Sequence, residues 1–144
     1  MTQKKRILIV DDDKMIVWLI EQSLKSDSYE IFTAYNGADA LEKAYKIHPN
    51  LMILDLNMPV MDGYEVCRQL HKDAKMADIS LLLLSALVNP NASDEDGKLG
   101  VVRRHLKGLD LGVDAFLSKP IRLKELKTRV ETMMTEPVAV PAFV

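Results

Sequence analysis

The chain has 144 residues, of which 48% are hydrophobic and 28% charged, and its formal net charge is −2. This size and composition predict one globular domain that can bury a core of its own. The small negative charge argues against nucleic acid as a bulk electrostatic partner.

The single cysteine, Cys67, excludes an internal disulfide and is typical of a reducing compartment. Behind the basic N-terminus the apolar run covers only residues 7–10, which is too short for a signal peptide. We also find no apolar run long enough to cross a membrane. The sequence therefore predicts a cytoplasmic protein that does not contact a membrane.

The first half of the chain alternates short apolar runs with segments of helical periodicity. Residues 7–10 are apolar on both faces, which is typical of a buried parallel strand. A helix is predicted over residues 13–26, with Asp13 as its cap and Trp18 packed against the core. Its predicted inner face is Ile16, Leu19, Ile20 and Leu24. Then come a strand over 30–34, a helix opening at Asn36-Gly37, a strand over 51–56 and a turn over 59–63.

The second half continues this alternation with one long interruption. A third helix is marked by apolar residues from Tyr64 to Leu70, and a buried strand over 79–84 ends on Ser85. A polar segment follows, and the remaining predicted elements are a helix marked by Leu99, Val102, Leu106 and Leu109, a strand over 113–117 and a final helix marked by Leu123, Leu126, Val130 and Met133.

Strands that alternate with helices of this length predict right-handed βαβ units and a parallel sheet between two helix layers. The expected fold class is therefore α/β, a three-layer α/β/α sandwich with five strands. In such sheets the ligand site lies beyond the carboxyl ends of the strands. Those ends carry Asp11, Asp12, Asp13, Asp55, Ser85 and Lys119.

The polar residues at these strand ends favour phosphoryl-transfer chemistry. Clustered carboxylates repel one another, so their joint ionisation requires a cation, and oxygen ligands select Mg²⁺ or Ca²⁺ over soft metals. Carboxylates such as Asp55 can act as nucleophiles and become aspartyl phosphates. Lys119 would help to neutralise the transferred group, and Ser85 could donate a hydrogen bond to it.

Four motifs, in their order along the chain, resemble the receiver domain of two-component response regulators, the CheY-like superfamily. They are Ile-Leu-Ile-Val-Asp-Asp at 7–12, Leu-Asp-Leu-Asn-Met-Pro at 54–59 followed by Asp-Gly, Ser-Ala at 85–86 and Ser-Lys-Pro at 118–120. The resemblance covers about residues 5–134 and implies a flavodoxin-like sheet in the order 2-1-3-4-5. We expect a receiver domain over 1–135 and a disordered tail or linker stub over 136–144.

The resemblance implies a role for each matched acidic residue. Asp55 resembles the phosphoacceptor, which takes a phosphoryl group from a histidine kinase or a histidine phosphotransfer protein. Asp11 and Asp12 resemble the acidic pair that holds Mg²⁺, with Asp12 the direct ligand. Asp55 itself and the backbone carbonyl of Asn57 complete the expected metal ligands.

The resemblance also assigns the remaining site positions. Lys119 resembles the lysine that contacts the phosphoryl group, and the peptide bond before Pro120 is expected to be cis. Ser85 and Phe116 resemble the switch pair, in which the hydroxyl moves toward the phosphate and the ring turns inward. The implied protein is a signalling switch that catalyses only its own Mg²⁺-dependent phosphorylation and dephosphorylation. Homodimers would form through the fourth helix, fifth strand and fifth helix, with no direct nucleic-acid contact.

The spacing between two of the motifs departs from the family pattern. Thirty-four positions separate Ser85 from Lys119, and the excess falls between Val88 and Arg103. Because Gly97 and Gly100 weaken a helix there, our hypothesis is a mobile connection over residues 89–102 beside the site.

Other functions stay open at this point. A small-molecule phosphatase or phosphotransferase could use an aspartyl nucleophile, although such enzymes typically carry a second aspartate two residues later, where Asn57 stands. A module that only binds partners, independently of phosphorylation, is another alternative. A nucleotide or flavin site is disfavoured because aspartates, not a glycine-rich loop, follow the first strand.

Overall fold

The computed structural model describes residues 4–85 and 114–135. The strands in this part of the chain are β1 (Lys5–Val10), β2 (Tyr29–Ala34), β3 (Leu51–Asp55), β4 (Ser80–Ser85) and β5 (Ala115–Ser118). The helices are α1 (Lys14–Leu24), α2 (Gly37–Ile47), α3 (Gly63–Lys72) and a C-terminal helix (Leu123–Thr135).

All five strands form one parallel sheet in the order β2-β1-β3-β4-β5. This confirms the predicted α/β fold and the flavodoxin-like order 2-1-3-4-5. The order reverses at β1, which pairs with β2 on one side and with β3 on the other. In a doubly wound sheet the crevice for a ligand opens at this reversal, outside the carboxyl ends of the strands.

Two apolar clusters cover the opposite faces of this sheet. Leu8 and Val10 of β1 pack in the cluster that includes α2 and α3. Ile7 and Ile9 pack in the cluster that includes α1 and the C-terminal helix. Because successive strand side chains point to opposite faces, the continuous apolar run of β1 serves both helix layers.

Three helices begin at side-chain caps close to the carboxyl edge of the sheet. Asp13 accepts hydrogen bonds from the N–H groups of Met15 and Ile16 and caps α1, as predicted. Asn36 caps α2 and Asp62 caps α3, each by accepting from the N–H three residues on. These caps satisfy N–H groups that have no partner within the helix, and they fix where each helix starts.

The predicted inner face of α1 was partly wrong. Trp18, expected in the core, is 53% exposed, and Leu19 is also exposed, whereas Val17, Ile20 and Leu24 are buried. The sequence is apolar at every position from Met15 to Ile20, so its periodicity did not specify which side meets the sheet. In the C-terminal helix, likewise, Met134 is buried and Met133 only partly so.

Some predictions fall on other residues. The mobile connection over 89–102, the helix marked by Leu99 to Leu109 and the tail over 136–144 lie outside the described residues. Among the helices of residues 4–85 and 114–135, none combines the length and the hydropathy that a bilayer crossing needs.

Candidate functional site

The polar residues predicted at the strand ends lie together at the carboxyl edge of the sheet. Val10 of β1 pairs with Leu54 of β3, so the aspartates that follow them, Asp11 and Asp55, come next to each other. Asp55 in turn pairs with Leu84 of β4. The register therefore sets the two carboxylates side by side before any side chain is considered.

The lysine reaches the same place from β5. Ser85 pairs with Ser118, and the backbone N–H of Lys119 donates to the carbonyl of Ser85 at 2.8 Å. The peptide bond from Lys119 to Pro120 is cis. Lys119 is thus held by the sheet at its backbone, and its side chain extends toward β1 and β3.

Lys119 bridges the two buried carboxylates. Its Nζ donates to Asp11 Oδ2 at 2.9 Å and lies 3.4 Å from Asp55 Oδ2. Asp11 is 0% exposed and Asp55 is 1% exposed, whereas the lysine side chain keeps 17% of its surface in solvent. Two buried acids therefore share one ammonium group.

The pKa directions reflect this shared cation. Burial raises the pKa of Asp11, and the charge of Asp55 adds to the rise against hydrogen bonds from Asp13 and Lys119. Burial acts to lower the pKa of Lys119, but the hydrogen bonds and charges of Asp11 and Asp55 outweigh it and raise that pKa. The contacts therefore favour the cationic form of Lys119, while burial disfavours the anionic form of Asp11.

Three carboxylates at this edge fit a divalent cation. Asp11, Asp12 and Asp55 each offer an oxygen, and these oxygens lie within 4.8 Å of one another. Within residues 4–85 and 114–135, Lys119 is the cation that contacts two of them, so the formal charges of three carboxylates and one ammonium sum to −2. A divalent ion balances that charge, and carboxylate oxygens are the ligands that Mg²⁺ prefers.

The loop after β3 is tied to the Asp55 side chain. Asp55 Oδ1 accepts a hydrogen bond from the backbone N–H of Asn57 at 3.1 Å, while Oδ2 faces Lys119. Asp12 and Asn57 are exposed, whereas Asp11 and Asp55 are buried. The site thus combines two buried carboxylates with an exposed one, that of Asp12.

Ser85 and Phe116, the predicted switch pair, lie on one face of the sheet. Phe116 stands two residues before Ser118, the partner of Ser85, so its side chain points to the same face as that of Ser85. Ser85 is buried, and Phe116 is partly buried against the cluster that includes α2 and α3. The side chain of Asp55 points to the opposite face of the sheet, because its neighbour Leu54 packs in that cluster.

One contact in the site was missed by sequence reasoning. The backbone N–H of Asp13 donates to Asp11 Oδ1 at 2.9 Å, so the residue that caps α1 also orients the buried carboxylate. The local signal was Asp11 itself, because aspartate side chains commonly accept from the N–H two residues further on, in an Asx-turn.

Comparison with known proteins agrees with this geometry. The sequence model of the response regulator receiver domain matches residues 7–131. A probable transcriptional regulator ycf27 of Cyanophora paradoxa is 38% identical over 131 residues, which are 91% of this chain and 48% of that protein. The DNA-binding dual master transcriptional regulator RpaA of a Synechocystis strain is 33% identical over 136 residues, 94% of this chain and 52% of that protein. The chain spans about half the length of these curated relatives.

A solved structure shows the same likeness in three dimensions. The crystal structure of a putative response regulator from Chloroflexus aurantiacus superposes with a TM-score of 0.75 at 27% sequence identity. The match covers 93% of this chain and 100% of that one.

Proposed function

The chain belongs to the response regulator receiver domain family, and we propose that Asp55 is the residue on which it accepts a phosphoryl group. Receiver domains are signalling switches of two-component systems and interact with histidine kinases. The proposed donor is a phosphohistidine of such a kinase or of a histidine phosphotransfer protein.

The observation that carries this proposal is the position of Lys119. Its Nζ lies 3.4 Å from Asp55 Oδ2 and 2.9 Å from Asp11 Oδ2, at the edge where a doubly wound sheet binds ligands. A buried acid that only stabilised the fold would need one partner, whereas here two acids share one cation and a surplus of negative charge remains. A metal ion together with a phosphoryl group would complete this arrangement.

The proposed transfer is a displacement at phosphorus. A carboxylate oxygen of Asp55 forms the new P–O bond, the P–N bond to the donor imidazole breaks, and the imidazole leaves and takes up a proton. The Lys119 ammonium, already directed at Asp55, would pair with the negative oxygens of the phosphoryl group. Such transfers depend mainly on positioning and charge neutralisation, which buried and hydrogen-bonded groups provide.

The proposed Mg²⁺ site consists of Asp11, Asp12, Asp55 and the backbone carbonyl of Asn57. When bound there, Mg²⁺ would supply the positive charge that allows a phosphoryl group to approach clustered carboxylates. Asp12, which is exposed, is the proposed direct ligand, and Asp11 is held in place by Lys119 and the Asp13 N–H. We propose that the chain catalyses only its own Mg²⁺-dependent phosphorylation and dephosphorylation.

Ser85 and Phe116 are proposed to transmit the structural change that phosphorylation of Asp55 would cause. They share one sheet face beside the α2 and α3 layer, so a movement of the Ser85 hydroxyl toward a phosphoryl group would open space on the side where Phe116 packs. Homodimerisation remains a prediction, and of its face the structure describes only β5 and the C-terminal helix. A cytoplasmic location also remains a prediction.

The output of the switch is proposed by analogy with the relatives. Because two of them are named as transcriptional regulators, one of them DNA-binding, the prediction that excludes nucleic acid is not supported. We propose that phosphorylation alters protein contacts made by this domain and thereby controls regulation of gene expression. The alternative of a small-molecule phosphatase is less favoured, because Asn57 stands where a general acid would be needed and cannot transfer a proton.

The test is formation of a covalent adduct at Asp55. The protein is incubated with Mg²⁺ and acetyl phosphate, or with the fluoroberyllate phosphoryl mimic, and the adduct is followed by intact mass and peptide mapping. We expect one phosphoryl group per chain on wild-type protein and none on Asp55→Asn.

A matched control is Asp62→Asn, which removes a nearby exposed carboxylate but keeps an oxygen that can cap α3. It should react like the wild type. A folded wild type that gives no adduct would refute the proposal, and multiple turnover of a small phosphoester would favour the enzyme instead.

A further inference from the structure

We infer that Gly37 and Gly63, the first residues of α2 and α3, are positioning residues that let the loop after β3 pack closely beside Asp55. Val60 takes up the backbone strain of this close packing. The inference rests on the proposed phosphorylation of Asp55. It concerns residues 56–63, which connect the carboxyl end of β3 to α3.

Gly63 lies directly against the backbone of the acceptor. Its N–H donates to the carbonyl of Leu56 at 3.2 Å, so the start of α3 folds back onto the end of β3. A Cβ at this position would lie 2.5 Å from the carbonyl oxygen of Asp55 and 2.8 Å from Cα of Leu56. Both neighbours are backbone atoms, so any side chain at position 63 would have to displace the segment that carries the Asp55 carboxylate.

Gly37 seats the other side of the same loop. A Cβ there would lie 2.6 Å from the carbonyl oxygen of Met61 and 2.8 Å from its Cβ. Met61 is partly buried against the cluster that includes α2 and α3, so it cannot simply move into solvent. The start of α2 thus fixes Met61, as the start of α3 fixes Asp55.

Val60 lies between these contacts in a strained turn. Its φ is 70°, and the N–H of Met61 donates to the carbonyl of Pro59 at 2.8 Å, which closes a three-residue turn around it. A β-branched residue rarely adopts this conformation. The Val60 side chain is fully exposed, so its own packing does not compensate for the strain. Such strain persists only where surrounding contacts impose it, and the contacts on either side of Val60 are those at Gly37 and Gly63.

The two glycines are well matched for comparison but reach the acceptor by different routes. Each is the first residue of its helix, each follows a side-chain cap, and the two hypothetical Cβ contacts are almost equally short. A methyl group at position 63 would press on Asp55 itself. A methyl group at position 37 would press on Met61 and would reach Asp55 only through the turn at Val60. A more flexible backbone at position 60 should therefore relieve the effect of a methyl group at position 37 but not that of a methyl group at position 63.

The experiment measures the rate of adduct formation from acetyl phosphate with saturating Mg²⁺, together with the thermal midpoint. It compares the wild type with Gly37→Ala and Gly63→Ala, each alone and combined with Val60→Gly. We expect Gly63→Ala to lower the maximal rate about tenfold or more, with little change in the acetyl phosphate concentration at half-maximal rate, and Gly37→Ala to lower it about threefold. Val60→Gly should bring Gly37→Ala back to within about twofold of the wild-type rate, because glycine adopts positive φ without strain, and it should not restore Gly63→Ala.

Two controls separate positioning from general destabilisation. Val60→Ala keeps a Cβ and therefore should not rescue Gly37→Ala. Leu24→Ala empties a buried site at the end of α1, far from the acceptor loop, and should lower the thermal midpoint while the maximal rate stays at the wild-type value.

The outcomes are distinguishable. Equal rates for Gly63→Ala and wild type, or equal rescue of both glycine variants by Val60→Gly, would overturn the inference and leave the proposed function standing. Failure of the wild type to form an adduct would overturn the proposed function. The thermal midpoints would still test the inference, because Val60→Gly must restore the midpoint of Gly37→Ala and must not restore that of Gly63→Ala. If Gly63→Ala does not fold, the Gly37→Ala pair carries the test.

Discussion

The two edges of the sheet use charged side chains in opposite ways. At the carboxyl edge, Lys119 contacts Asp11 and Asp55, and both carboxylates are buried. At the amino edge, Lys5 Nζ donates to the carbonyl of Met134 at 2.6 Å, near the end of the C-terminal helix. Arg6 Nη1 likewise donates to the carbonyl of Ile47 at 2.6 Å, at the end of α2, and His48 pairs with Asp78 at 2.9 Å on the surface.

This difference shows that burial, more than charge, distinguishes the charged side chains of the candidate site from those that only stabilise the fold. Cations at the amino edge satisfy the last carbonyls of helices, where water can replace them at small cost. The charges at the carboxyl edge have no such substitute, because removing one partner leaves another buried without compensation. The amino edge therefore holds helices in place, and the carboxyl edge keeps an excess of negative charge that suits a cationic ligand.

The largest effect is expected from Lys119→Met. This change leaves Asp11 and Asp55 buried without a cation, and we expect a loss of about 3 kcal/mol in the free energy of unfolding at neutral pH. Urea unfolding at several pH values would measure it, and the loss should shrink on acidification as the Asp11 carboxyl, whose pKa is raised, becomes neutral. Lys124→Met, an exposed lysine on the C-terminal helix, is the control and should change little. A small, pH-independent loss for Lys119→Met would contradict the comparison between the edges.

The second prediction concerns Asp11→Asn, which should stabilise the protein. Because burial raises the pKa of Asp11 in the folded state above 3.8, its anion is less favourable in the folded protein than in the unfolded chain. The asparagine variant should therefore be more stable than the wild type at neutral pH, and this gain should vanish as the pH falls to about 3.8 and below. Asp12→Asn, at an exposed carboxylate, should show a smaller gain. A wild type that stayed more stable than Asp11→Asn at neutral pH would contradict the prediction.

Asp13→Ala should lower stability moderately. Because Asp13 lies at the carboxyl edge but is exposed, this variant tests whether burial or location at the edge is what matters. Asp13 is exposed and caps α1, so its loss should cost about 1 kcal/mol of stability. Asp13→Asn, which can still accept from the helix N–H groups, should restore most of that stability. Neither change should slow adduct formation at Asp55, since the backbone N–H that orients Asp11 is retained. A large loss of phosphorylation in the asparagine variant would place Asp13 within the reacting machinery.

The smallest effect is expected from Lys5→Met at the amino edge. It removes one hydrogen bond to the carbonyl of Met134, so the loss should stay within about 1 kcal/mol. Thermal unfolding and the adduct assay together would check it, and the rate at Asp55 should equal that of the wild type. A change in that rate would show that the two edges are coupled.

Much of the fold and of the candidate site could be predicted from local pattern. Residues 7–10 and 51–54 are apolar on both faces, and an aspartate follows each run. Such abrupt changes mark the carboxyl end of a buried strand without knowledge of the partner strands. The αβ alternation then places Asp11, Asp55 and Lys119 at one edge, because parallel strands present their carboxyl ends on the same side.

Local sequence patterns were enough to predict which residues lie at the carboxyl edge, but the contacts among these residues depend on tertiary packing. Lys119 and Asp11 are 108 positions apart, and their 2.9 Å contact depends on the register of the sheet and on burial from both faces. The sequence also did not reveal the exposed face of α1 with Trp18, the positive φ of Val60 within the predicted turn or the contact of Gly63 with Asp55. The reason is physical: local patterns record the hydropathy and backbone preferences of neighbours, whereas these features arise from atoms that packing brings together from distant parts of the chain.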